Sequence, residues 1–164
     1  MTLRLLLALF ALAAASARAA DPLPDVELHL PNPCLACINW AEHLMEHGFK
    51  VHFREASDMD AVKRRLKVPR DLESVHTAVV AGYFIEGHVP AEDIKELLRE
   101  KPKARGLAVP GLPMGAPGRE ASGASFQCET GCTMLEGAQR RERREMFDTL
   151  LVGRDGTTSV YARH

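Results

Sequence analysis

The sequence predicts a mixed α/β fold, and three observations carry the prediction. Stretches that alternate apolar and polar residues interleave with stretches whose apolar residues recur at helical spacing. Their order is strand, helix, strand and then strand, strand, helix, followed by two more strands at the C-terminus. A Cys-x-x-Cys pair, Cys34 and Cys37, stands where the first strand hands over to the first helix. That order is the one of a thioredoxin-like α/β sandwich.

Each element rests on its own residues. Val26 to Leu30 alternates as a half-buried strand does, and Pro31 and Pro33 end it. Ile38, Ala41, Leu44 and Met45 then recur as one face of a helix, and Gly48 supplies its stop. Phe49 to Phe53 alternates again. Asp58 is a capping residue for a short helix over 61–66, closed by Val68-Pro69. Thr77 to Val80 and Tyr83 to Ile85, around Ala81-Gly82, read as two strands or a hairpin. Pro90 opens a helix through Ile94, Leu97 and Leu98, with Glu92 and Asp93 in its first turn. From Gly106 to Gly123 the composition turns to Gly and Pro, which predicts a long irregular loop. Cys128 and Cys132 follow in a helical insertion ending in a charged run, Glu136 to Glu145. The chain closes on a hairpin turning at Asp155-Gly156.

Residues 1–19 read as a secretory signal. Arg4 supplies the positive start, roughly a dozen apolar residues follow, and Ala17-Arg18-Ala19 offers small residues at the cleavage positions. A membrane span needs about 20 apolar residues, so this segment is too short for an anchor, and no later stretch qualifies. Residues 20–164 are then one domain in an oxidising compartment. The formal net charge of −1 offers no case for a nucleic-acid or membrane-surface role. All 4 cysteines lie in the mature part. An even count outside the cytosol first points to two disulfides. Both pairs are tightly spaced, however, and short loops stabilise least. Reactive dithiols and metal ligands are more often spaced this way.

Cys34 and Cys37 share one face of a helix start, where both can meet each other or one ion. The helix N-terminus favours the thiolate, which serves a nucleophile and a metal ligand equally. An inert disulfide is the bland alternative. Leu35 and Ala36 stand between them where thioredoxins usually carry Gly-Pro, so the oxidoreductase motif is half present. Cys128 and Cys132, beside Met134, add soft sulfur donors of the kind a copper(I) or zinc site uses, or form a disulfide of their own. His76 begins the strand expected to return beside the first, facing the Cys-x-x-Cys, and is a candidate ligand. His88 is a ligand or a loop residue, and Met114 a copper(I) thioether or a loop anchor. His43 and His47 belong to a solvated helix face, and His29 and His52 to strand surfaces.

"CLACINWAEHLMEHGF", "HTAVVAGYFIEGHVPAEDIKELL" and "ARGLAVPGLPMGAPG" together resemble the CopG-type periplasmic copper-resistance family, over nearly all of the mature chain. The resemblance implies a thioredoxin-like fold, a periplasmic location and copper held by cysteine sulfur. By motif it carries over Cys34 and Cys37, His76 of "HTAVV", His88 of "GHVPA" and Met114 of the Gly-Pro loop. Many relatives have a third cysteine where Ala36 stands. This chain has Cys128 and Cys132 instead, as in the branch where two cysteine pairs share several copper ions through bridging thiolates. Periplasmic copper-export or copper-oxidising proteins are the partners the resemblance implies. A thiol-disulfide or copper oxidoreductase working through Cys34 and Cys37 is the enzymatic alternative.

Overall fold

The computed structural model describes residues 22–119 and 145–164. The expected signal segment, Cys128 and Cys132, the helical insertion that carries them, and the charged run up to residue 144 lie outside the described residues. The α/β class is the one the chain adopts. In order come β1 (Val26–Leu30), α1 (Leu35–Glu46), β2 (Val51–Glu55), α2 (Met59–Leu66) and a 3-10 turn at Arg70–Leu72. Then follow β3 (Thr77–Val80), β4 (Tyr83–Glu86), α3 (Ala91–Glu100), β5 (Ala104–Ala108), β6 (Asp148–Gly153) and β7 (Thr158–Arg163).

Local chemistry sets most of the boundaries. Asp58 caps α2 by accepting the Ala61 N–H at 2.8 Å. Beyond α1, Gly48 takes φ +91°, and its N–H and that of Phe49 return to the Met45 and Leu44 carbonyls. At the β6–β7 turn, the Asp155 carboxylate accepts the Thr157 N–H and hydroxyl at 3.0 and 2.7 Å. Gly156 there supplies φ +90°.

The strands form one 7-stranded sheet in the order β2-β1-β3-β4-β5-β6-β7. β1 pairs parallel with β2 and antiparallel with β3; β4 is antiparallel to β3 and parallel to β5; β6 and β7 complete an antiparallel extension. Side-chain alternation divides the interior between the two faces. On one, Leu28, Ala78, Val80, Ile85 and Leu107 pack with Trp40, Ala41 and Leu44 of α1 and Ile94 and Leu97 of α3. On the other, Phe84, Ala108 and Val152 pack with Leu66 at the end of α2 and with Val68 and Leu72 beyond it.

Four expectations need correction. The buried face of α1 is Cys37, Trp40, Ala41 and Leu44, while Ile38 and Met45 are exposed. Burying the indole rotates the helix away from the face that counting aliphatics selects. β2 begins two residues later than Phe49, which lies buried at the end of the α1 turn. The expected loop from Gly106 is instead strand as far as Ala108. Gly106 is required there, because a β-carbon would collide with the Phe84 carbonyl oxygen on the neighbouring strand. Finally, His29 is buried, with Nε2 3.0 Å from the Glu27 carboxylate.

Candidate metal centre

Cys34 is the N-cap of α1, and its sulfur accepts the Cys37 N–H at 3.3 Å. The two cysteines are joined as a disulfide with Cα atoms 5.3 Å apart. Cys34 is partly buried against the core and Cys37 wholly buried. The pair is therefore asymmetric, with the outer sulfur belonging to Cys34.

One turn after Cys37, Trp40 is fully buried, and its Nε1–H donates to the Val89 carbonyl at 2.9 Å. This bond fixes the indole against the loop after β4. The His76 ring lies against it, with centroids 4.5 Å apart and planes tilted by 40°. His88 meets His76 edge-on at 4.9 Å. Both imidazoles are completely buried.

The two rings differ in what holds them. The Pro117 carbonyl lies 2.8 Å from His88 Nδ1. A carbonyl only accepts, so Nδ1 carries the hydrogen and the lone pair of the neutral ring is on Nε2. Metal-binding histidines are commonly oriented by such a bond to a backbone carbonyl. Neither nitrogen of His76 has a hydrogen-bond partner among the described residues. Burial, together with the nearby His88 and the Lys63 cation, holds its pKa well below the usual histidine value. The ring is thus neutral and keeps a nitrogen lone pair available as a donor.

Met114 is half-buried, with its thioether 3.6 Å from an Arg119 guanidinium nitrogen. Its backbone is tied to Glu145 at both N–H and carbonyl. His43 is not a solvated residue, since its Nε2 accepts the Ala91 N–H at the start of α3, 3.1 Å away. His52 sits at the surface, 2.7 Å from the Asp25 carboxylate. Sequence reading passed over Trp40 as a member of the centre. Its position three residues after Cys37, on the same helix face, was the available signal.

Among the described residues, no three His, Cys, Asp or Glu side chains converge as a metal site would. What this part of the chain brings together is an imidazole against an indole and a second imidazole edge-on to the first, with a disulfide one turn away along the same helix. The donor chemistry suits a soft monovalent ion once the disulfide is reduced, since thiolates and neutral imidazoles are its preferred ligands. No described helix is long and apolar enough to cross a membrane.

Fold and site define the class: a mixed α/β domain with a vicinal cysteine pair at a helix start and buried histidines behind it. Two solved structures, of copper resistance protein CopG in form 2 and form 1, are each 38% identical to this chain. They cover 88% of it, at TM-scores of 0.72 and 0.71, and 99% and 98% of their own lengths are matched. A family described as a protein of unknown function, DUF411, matches residues 72–119, which include His76, His88 and Met114. No curated protein matches. The chain belongs to the CopG copper resistance protein family.

Proposed function

We propose that this chain is a periplasmic copper-binding protein of copper resistance. It holds copper(I), as several ions bridged by the thiolates of Cys34, Cys37, Cys128 and Cys132, with His76, His88 and Met114 as further ligands. The observation that carries the reading is His76: a fully buried imidazole whose nitrogens have no hydrogen-bond partner among the described residues. Leaving a buried polar group unsatisfied costs about 1–3 kcal/mol, which a metal bond would offset. Family membership supports copper as the ion, and the signal-like N-terminus supports the compartment.

The chemistry is consistent with that cargo. A thiolate has lone pairs enough to bridge two copper(I) ions, so four thiolates serve a small cluster. Copper is the cargo in this reading, and periplasmic copper-export or copper-oxidising proteins are its exchange partners.

The test is a titration of the reduced full chain with copper(I) against a competing chelator. Several equivalents should bind, with strong loss in C34S and C132S. Fluorescence of Trp40, the one tryptophan of the chain, should fall as copper arrives. No uptake by the reduced protein would sink the proposal.

A second reading has its own observation, the asymmetry of the disulfide. In the reduced state the Cys34 thiolate would attack a substrate disulfide and form a mixed disulfide, releasing one substrate thiolate. Cys37 would then attack Cys34, forming the Cys34–Cys37 disulfide and releasing the second. Turnover of a disulfide substrate that survives C128S and C132S would favour it.

A further inference from the structure

The sheet face opposite Trp40 holds a buried polar cluster that the copper reading does not use. Lys63 of α2, Thr77 of β3 and Glu86 of β4 are all buried. Lys63 Nζ donates to Thr77 Oγ1 at 3.0 Å and to the Glu86 carboxylate at closer range. The Thr77 hydroxyl donates its hydrogen to Glu86 Oε2 at 2.6 Å, and Oε1 also accepts the Ser74 N–H at 2.6 Å. Both carboxylate oxygens, the hydroxyl and the ammonium therefore have partners.

A buried ion pair is weak evidence for stability, because desolvating both charges cancels much of their attraction and apolar residues often serve as well. Geometry supplies another reason for it. Thr77 and Glu86 are directly opposite in the β3–β4 register. His76 precedes Thr77, and the next bond beyond the pair runs from the Gly87 N–H to the His76 carbonyl at 3.1 Å. His88 follows two residues after Glu86. Strand alternation puts the side chains of Thr77 and Glu86 on one face and that of His76 on the other. Past the end of β4, Gly87 takes φ +70°, and the His88 ring beyond it meets His76 edge-on.

We propose that Lys63, Thr77 and Glu86 are positioning residues that lock the rung from which the two imidazoles project. His76 needs such help, having no hydrogen bond to its ring among the described residues. Its orientation depends on its backbone and on the Trp40 and His88 faces. Lys63 anchors that backbone to the layer on the far side of the sheet. What the imidazoles hold rests on the copper reading; that they are held in place does not.

Full-length T77V, T77S, E86Q, H76A and the H76A/E86Q double variant test this in two ways. In the metal-free oxidised protein, NMR of labelled histidine rings reports orientation directly. T77V and E86Q should shift or split the His76 and His88 ring signals while thermal unfolding stays cooperative, and T77S should match the parent. In the reduced protein, copper(I) affinity against a chelator should fall roughly 10–100-fold in T77V and E86Q, the range for lost outer-shell partners. E86Q should then add nothing to H76A. Folded T77V and E86Q proteins with parental ring signals and affinity would overturn the proposal, as would an E86Q loss fully additive to that of H76A. Should E86Q not fold, the contrast between T77V and T77S decides the same point. An H76A protein with undiminished affinity would count against the copper reading of His76, and the ring signals would still decide the positioning.

Discussion

Acid should destabilise this protein through His76, by an amount that can be worked out in advance. In the folded chain the ring is buried and neutral, its pKa held well below the usual value by desolvation first, then by His88 and Lys63. In the unfolded chain it titrates near 6.5. Below that pH the unfolded chain binds a proton that the folded chain does not, so stability falls as pH drops and is fully present well above 6.5. With the folded ring neutral over this range, one such group removes about 2 kcal/mol between pH 7 and pH 5, approaching the full one-proton slope at the acid end. H76F keeps an aromatic ring against Trp40 and removes the titration. Denaturant unfolding of both metal-free oxidised proteins, followed by Trp40 fluorescence, gives the comparison. His29, whose pKa burial also lowers, is common to both and cancels. The parent should lose about 2 kcal/mol more than H76F over this interval. Equal losses would refute the reasoning, because His76 would then be protonated or hydrated in the folded protein.

Three further outcomes follow from the geometry. Copper(I) uptake by the oxidised protein should be lower than by the reduced one, because the Cys34–Cys37 disulfide withdraws two thiolates; thiol counting beside the chelator titration checks this. Gly106→Ala should cost about 3 kcal/mol or more in denaturant stability, since the β-carbon collides with the Phe84 carbonyl and the neighbouring strand must shift. Asp93→Ala removes the acceptor of the Thr149 hydroxyl at 2.5 Å and of the His164 ring at 2.9 Å. That should cost about 1–3 kcal/mol and speed amide exchange in β6 and β7.

How far the sequence could be read depended on whether the cause was local. Asp58, Gly48 and Asp155-Gly156 act within a few residues of themselves, and the boundaries they imply are where the chain turns. The α1 face was misjudged because its orientation is decided by the bond from Trp40 to Val89, 49 residues away. β5 was hidden for a similar reason: Gly106 looks like loop punctuation until its parallel partner β4 is placed beside it. Lys63 in "AVKRRL" and Glu86 in "YFIEG" could not be paired from the sequence, since nothing nearby announces a buried counter-charge. His76 was recognisable as an unusual start to an apolar strand. Its burial against Trp40 and His88 needed the tertiary structure.

The join between the two described stretches has a consequence for how such a protein can be altered. The Arg119 carbonyl accepts the Gly115 N–H at 3.4 Å, and Glu145 bonds to both backbone groups of Met114. Residues 119 and 145 are thus moored to adjacent points of one loop, and the strand pairings of the described sheet are all made between described residues. Cysteine content between these two moorings can therefore change while the register of every described strand is kept. A chain in which a short Gly-Ser bridge replaces residues 120–144 should keep the sheet, the disulfide and the histidine pair, and lose only the chemistry that the excised cysteines supply.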